Sequence, residues 1–391
     1  MTGIAIIQER WRVSAEGRAL IVLTATLLAF GLASLYSASA ILAVQEGRGS
    51  AFYLLRQASG VIVGLVAFAI VAKIDAERWR EWAWPLMGGA IFLLLIIILP
   101  FTESIAPRIN GSRRFLFGAS VQPSELAKLA VIVWTSMLVV KKSEQLRRAR
   151  TLIPFLLVLG VLDILVVLEP DLSAALLYTL IAGLLIFAGG GRIGHFILIA
   201  CLSVPVLWST VERLQYVLLR IASFRNADTA PQEISYQLTQ SLIAVGRGGL
   251  FGVGFGQGRQ QNGFLPLPYN DFIASNIGEE WGFVGLAALV IGFGAWGMLG
   301  FRIARRARTP FQQLVALGIT ATMLLTAYLH VGVVIGLLPT TGLTLPFVSY
   351  GRSNLVLSLL MTGILINIAS SRERVNGEMS TDPFAPAPLR A

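Results

Sequence analysis

The sequence predicts an all-α polytopic membrane protein of about ten transmembrane helices, with both termini cytoplasmic and a large outer loop between helices seven and eight. Three observations carry this expectation. Of 391 residues, 55% are hydrophobic and 13% charged, with a mean hydropathy of +0.73; soluble domains carry about 25% charged residues. Apolar runs of about twenty residues recur, the length that crosses roughly 30 Å of hydrocarbon. The net charge of +10 comes from Lys and Arg gathered in short segments between those runs. That is a topology signal and not a nucleic-acid patch.

Arg10, Arg12 and Arg18 precede the first span, residues 19–39, which is long enough to cross and reads as no cleavable signal. The second span, 54–72, ends at the charged run from Lys73 to Arg80, and the third is 82–99. The fourth, 122–140, opens on Gln122-Pro-Ser-Glu125: Pro123 suits a first helical turn and Glu125 complements the positive helix end. A basic cluster, Lys141 to Arg150, follows it. The fifth span, 152–168, stops at Glu169-Pro-Asp171, where Pro170 breaks the helix and Asp171 caps the sixth, 172–188. Gly189-Gly-Gly-Arg192 closes the sixth, and 196–211 is the seventh.

The longest polar stretch is 212–271. It ends at Asp271, where water gives way to the eighth span, 272–300. Glu279 and Glu280 interrupt that span and are expected to face the bundle and stabilise it by pairing. The ninth and tenth spans are 313–338 and 354–370, separated by a Pro-, Thr- and Gly-rich loop, 339–353. Residues 1–371 read as one transmembrane domain and 372–391 as a disordered cytoplasmic tail. Cys201 is the only cysteine, so no disulfide forms within the chain. His195 and His330 are far apart and make a histidine metal site improbable; each reads as a packed or interfacial group.

Alternate loops carry most of the Lys and Arg, which places both ends inside and the polar loops outside. Arg108, Arg113 and Arg114 break the rule. Arginines outside suit an anionic ligand or an internal salt bridge, and Arg113 and Arg114 could equally pair with Glu103 or lipid headgroups. The run Gly246 to Gly258 contains Gly-x-Gly-x-Gly but lacks the strand–helix context of a dinucleotide site. Its glycines are expected to allow tight turns or close helix approach.

These loops carry a resemblance. Asn110-Gly-Ser-Arg-Arg-Phe, Gln122-Pro-Ser-Glu-Leu-Ala-Lys128, Glu169-Pro-Asp-Leu, Gln240 to Gly252 and Gly336 to Gly351 follow the order and spacing of the SEDS (shape, elongation, division and sporulation) family. That family comprises the FtsW and RodA proteins, and the similarity is somewhat closer to FtsW, from Glu169–Asp171 and the Pro339 to Gly351 run. The family's Pro-Glu-Ala-His-Thr-Asp-Phe is Pro266-Leu-Pro-Tyr-Asn-Asp-Phe272 here, which leaves Asp271 as the only acid in that stretch. Phe115 stands for the family tryptophan and Arg352 for a glycine.

The resemblance implies a peptidoglycan glycosyltransferase that polymerises lipid II on the outer face of the cytoplasmic membrane, here for septal synthesis in cell division. Asp271 takes the position of the proposed catalytic acid, a general base toward the attacking sugar hydroxyl. Glu125, Lys128 and Arg114 take substrate-binding positions; a helix places Glu125 and Lys128 on one face. A divalent cation, Mg or Mn, bridging Asp271 and Glu125 is an expectation of the same site. The implied partners are lipid II, the nascent glycan, a class B penicillin-binding transpeptidase and other membrane proteins of division or elongation. Three other functions remain open at this point: a RodA-like elongation enzyme, a flippase or transporter for lipid-linked precursor, and a non-catalytic scaffold. Transport favours broken spans with midplane charges, whereas the polar segments here cluster at one face.

Overall fold

The structure is a computed structural model and describes residues 8–99, 102–103, 106–107, 113–116, 121–192, 194 and 232–375. Its helices follow the expected spans closely: α1 (Ala15–Gln45), α2 (Phe52–Val71), a short α3 (Arg78–Glu81), α4 (Ala83–Ile98), α5 (Pro123–Lys141), α6 (Ile153–Leu168) and α7 (Leu172–Ala188). Further on come α8 (Gln232–Gly248), α9 (Ile273–Arg305), α10 (Pro310–Val334) and α11 (Arg352–Ile368). Among the described residues, six helices are long and apolar enough to cross a membrane, and α4, α7 and α11 are shorter apolar helices. The seventh expected span, with His195 and Cys201, lies outside the described residues, as do residues 376–391.

Local chemistry sets the helix ends. The Ser14 hydroxyl accepts the Gly17 N–H at 3.1 Å, Asp171 accepts that of Ala174 at 3.2 Å, and Thr309 that of Gln312 at 3.2 Å. Each satisfies a donor that a helix start leaves unpaired. Asp171 thus caps α7 as its position in the sequence suggests.

α5 is enclosed on nearly every side, packed against α4, α7, α10 and α11. α2 and α6 instead expose large apolar side chains such as Ile62, Val66 and Ile164, the surface a bilayer covers. Apolar area gives little drive between helices in lipid, so close approach at small residues matters. Gly60 and Gly64 of α2 meet α11: a Cβ on Gly64 would stand 2.5 Å from Leu359 Cδ1, and one on Gly363 would stand 2.8 Å from the Phe68 carbonyl.

Two differences from the sequence expectation stand out. The polar stretch before Asp271 is not all loop: α8 occupies part of it, burying Leu238, Ser241 and Ala244 at helical spacing and packing on α9. α9 is broken at Gly282 (φ 64°, ψ −159°). The segment 249–254 fills the break. Val253 and Gly254 N–H donate to the Glu279 and Glu280 carbonyls at 3.0 Å each, and Phe283 and Val284 N–H donate to the Gly249 and Leu250 carbonyls at 2.8 and 3.1 Å. Irregular backbone at membrane depth survives where protein satisfies it. The glycine run makes this possible, since a Cβ on Gly252 would stand 2.1 Å from the Glu280 carbonyl oxygen.

At one end of the bundle, β1 (Gln8–Val13) pairs antiparallel with β2 (Ser370–Val375). The terminal segments therefore share one side, and β2 crosses the boundary expected at residue 372. The basic segments meet there: Arg306 pairs with Glu16, Arg308 donates to the Ser370 carbonyl at 2.9 Å, and Thr309 donates to Glu77 at 2.9 Å.

Candidate active site

The opposite end gathers the remaining polar segments around residues 336–353, a loop together with the first two residues of α11. The loop reaches three partners. The Ser349 hydroxyl donates to the Asn270 carbonyl at 2.8 Å, and Tyr350 N–H donates to the Tyr269 carbonyl at 2.9 Å. The Ser173 hydroxyl at the start of α7 donates to the Thr341 carbonyl at 2.7 Å. Gln122 N–H, just before α5, donates to Ser353 Oγ at 2.9 Å. The loop thereby draws together the segments bearing Asp271, Asp171 and Glu125.

Asp271 is half-buried, one residue before Phe272, the N-cap of α9. It faces Gly342, where a Cβ would stand 3.9 Å from Asp271 Oδ2. Gly342 has φ +73°, a conformation that favours glycine. The carboxylate is therefore placed between a helix N-terminus, whose partial positive charge favours it, and a loop whose shape needs no side chain beside it.

Glu125 and Lys128 lie on α5 as one buried pair, Lys128 Nζ donating to Glu125 Oε1 at 2.7 Å. Glu125 Oε2 is buried with no hydrogen-bond partner. A buried ion pair is stable when its polar atoms are satisfied, and this oxygen keeps its lone pairs for a further donor. The helix start that carries it is tied down by Tyr178, whose hydroxyl donates to the Ser124 carbonyl.

Arg114 turns its guanidinium to the α6–α7 turn, donating to the Glu169 carbonyl at 3.0 Å and to the Pro170 carbonyl. Two of its nitrogens are thus held by backbone. Arg113 pairs with Glu103 and donates to the Leu99 carbonyl at 3.1 Å. Glu169 is buried with neither carboxylate oxygen hydrogen-bonded, and burial pushes its carboxyl up to about 9, with Asp171 adding to the rise and Arg114 opposing it. Glu169 is therefore a neutral acid at ordinary pH.

Three tyrosines close the site from the side of α2. Tyr53, Tyr269 and Tyr350 have ring centroids 4.6 Å apart for Tyr53–Tyr269, 5.4 Å for Tyr53–Tyr350 and 5.5 Å for Tyr269–Tyr350. The Tyr53 hydroxyl donates to Glu46, at 2.8 and 2.9 Å from its two oxygens. Burial holds the Tyr269 and Tyr350 phenols above their ordinary range. His330 is packed, its Nδ1 donating to the Leu343 carbonyl at 2.8 Å. Among the described residues, no three His, Cys, Asp or Glu side chains group to hold a metal.

A family model for the FtsW, RodA and SpoVE cell cycle proteins matches residues 18–374. The "Probable peptidoglycan glycosyltransferase FtsW" of Trichlorobacter lovleyi is 35% identical over 370 residues, which is 94% of this chain and 96% of that protein. "Stage V sporulation protein E" of Bacillus subtilis is 35% identical over 353 residues, 90% of this chain and 96% of that one. Among solved structures, the rod shape determining protein RodA of Thermus thermophilus aligns with a TM-score of 0.64 at 25% identity, covering 90% of this chain and 95% of its own. A chain of a peptidoglycan synthase complex has the same fold, with a TM-score of 0.74 at 24% identity, 90% of this chain and 97% of that one. The chain belongs to the FtsW/RodA/SpoVE family of integral membrane cell cycle proteins.

Proposed function

We propose that this chain polymerises lipid II into glycan strands on the outer face of the cytoplasmic membrane, for septal synthesis, with Asp271 as the general base. One observation supports it above the rest: the loop 336–353 binds the segments that carry Asp271, Asp171 and Glu125 at the end of the bundle opposite the terminal ribbon. The family's relatives named FtsW are peptidoglycan glycosyltransferases by name, and similarity of that order favours division over elongation.

The chemistry joins an acceptor sugar hydroxyl to an anomeric carbon that carries a lipid pyrophosphate. The hydroxyl loses its proton as the new C–O bond forms, and the pyrophosphate leaves with the electron pair of the bond that breaks. Asp271 is the group suited to take that proton, since a partly desolvated carboxylate is a better base than a hydrated one. Lys128 offers a cation toward the leaving group, held by Glu125. Arg114 supports the Glu169–Asp171 turn and offers its remaining N–H groups to phosphate. A divalent cation would neutralise the pyrophosphate; Asp271 and the unpartnered Glu125 Oε2 are the donors that would hold it. A class B penicillin-binding protein would crosslink the product, in keeping with the fold shared with a chain of a synthase complex that coordinates polymerisation and crosslinking.

Purified protein, alone and with its transpeptidase, is given labelled lipid II with and without a chelator. Glycan polymer is the expected product. Transbilayer movement of lipid II without polymer would replace this function with transport. Polymerisation that ignores the chelator would remove the cation.

A further inference from the structure

The second turn of α9 carries two adjacent carboxylates with no part in the proton transfer. Glu280 accepts the hydroxyl of Ser37 on α1 and lies beside the Gly256 backbone and the Gln261 side chain. Glu279, 0% exposed, turns to the segment that leads to Asp271. Its Oε1 accepts Arg259 N–H at 2.9 Å and its Oε2 accepts Gln260 N–H at 3.1 Å. Arg247 of α8 stands 3.8 Å from the same carboxylate. Gly258 lets the backbone come this close, since a Cβ there would stand 3.1 Å from Glu279 Oε2.

Glu279 thus grips the start of the run from Arg259 to Asp271. The far end of that run is gripped by the Tyr350–Tyr269 and Ser349–Asn270 hydrogen bonds. We infer that Glu279 is a positioning residue for the transfer reaction, fixing the near end of the Asp271-bearing segment as the 336–353 loop fixes the far end. This rests on Asp271 as the base.

The chemistry of the grip explains why a carboxylate stands there. Two successive amide N–H groups point at one side chain, and a carboxylate accepts from both, in charge-assisted bonds. An amide offers one oxygen, and its NH₂ would face a backbone N–H. Arg247 and the two amides offset the cost of burying the charge. A role confined to stability would lower the amount of folded protein and leave the rate per folded molecule alone. A positioning role lowers kcat, because misplacement by about 1 Å costs as much as 10²-fold.

The test uses the full chain with Cys201→Ser and a single probe, Asn262→Cys, on the exposed turn inside the gripped segment. Thiol labelling rate, thermal unfolding and the kcat and KM of lipid II polymerisation are read for Glu279→Gln and for Gly258→Ala. The second variant leaves the carboxylate intact and crowds its Oε2, with a Cβ 3.1 Å away. Both are expected to label faster and to lose kcat on the order of 10- to 100-fold, with KM little changed. Glu16→Gln, which touches Arg306 at the ribbon end and not this segment, is expected to label at the parent rate. Parent-like labelling in both gripping variants overturns the inference, as does an activity loss that only tracks the loss of folded protein. If the parent makes no polymer, the function assigned to Asp271 fails, while the labelling arm still decides whether Glu279 holds the segment.

Discussion

Ser349 holds the backbone one residue before Asp271: its hydroxyl donates to the Asn270 carbonyl at 2.8 Å and accepts Leu345 N–H at 2.9 Å. One side chain therefore fixes both its own loop and the segment that bears the base. Ser349→Ala leaves a carbonyl and an N–H without that partner. Each such hydrogen bond is worth about 0.5–1.5 kcal/mol net, so polymerisation should slow by up to about tenfold while the protein still folds. A wild-type rate for Ser349→Ala would mean that the Asn270 contact does not govern where Asp271 sits.

The bundle was legible in the sequence where its signals are local. α7 begins and ends where Pro170, Asp171 and Gly189 require, and α5 starts at Pro123. α8 was not legible as a helix, because its apolar face is narrow and its polar residues dominate any hydropathy window. Gly282 gave no warning either, since the break depends on hydrogen bonds from residues 249–254, far off in the chain. Asp163 went unnoticed inside an otherwise apolar run, although it accepts the Thr179 hydroxyl at 2.8 Å across α6 and α7. Asp271 stood out because it lies at a boundary that composition alone reveals. The tyrosine cluster joins three separate segments, and only folding brings them together.

The Glu125–Lys128 pair separates folding from function. Lys128→Met strands a carboxylate that is 7% exposed, a loss of about 3–5 kcal/mol for a broken buried pair. Glu125→Gln with Lys128→Met removes both charges and should recover most of that stability. If the pair binds substrate, the double variant folds but polymerises poorly. Wild-type polymerisation by the double variant would make the pair purely structural.

Glu169 gives a pH signature. Its carboxyl titrates near 4.5 when unfolded and near 9 when folded, because burial favours the neutral form. Between those values the folded state binds a proton that the unfolded state has lost, so stability falls as pH rises through the window. Glu169→Gln has no proton to lose. Thermal unfolding from about pH 5 to about pH 9 should therefore show wild type losing ground steadily to Glu169→Gln. Parallel profiles would mean that Glu169 is solvated and ionised.

Topology is tested by labelling from one side. The Lys and Arg asymmetry places the Asp271 end outside and the ribbon end inside. In a Cys201→Ser background, an impermeant thiol reagent added to whole cells should modify Asn262→Cys and spare Glu144→Cys, both exposed positions. Modification of Glu144→Cys alone would invert the bundle and move the site to the cytoplasm.

Asp271→Asn decides between chemistry and architecture at the central residue. An aspartate beside a helix start can serve only to complement the helix, and asparagine does that nearly as well. In that case Asp271→Asn would keep fold, membrane level and polymerisation. As a general base, Asp271 must take a proton, which asparagine cannot do although it has the same shape. General base catalysis contributes on the order of 10²–10⁴-fold, so kcat should fall by about that factor with unchanged thermal unfolding and unchanged binding of the transpeptidase. Lipid II affinity should also persist, since the substitution removes the proton acceptor and leaves Lys128 in place. A polymerisation rate within a few-fold of wild type would end the assignment of Asp271 as the base, whatever its relatives are named.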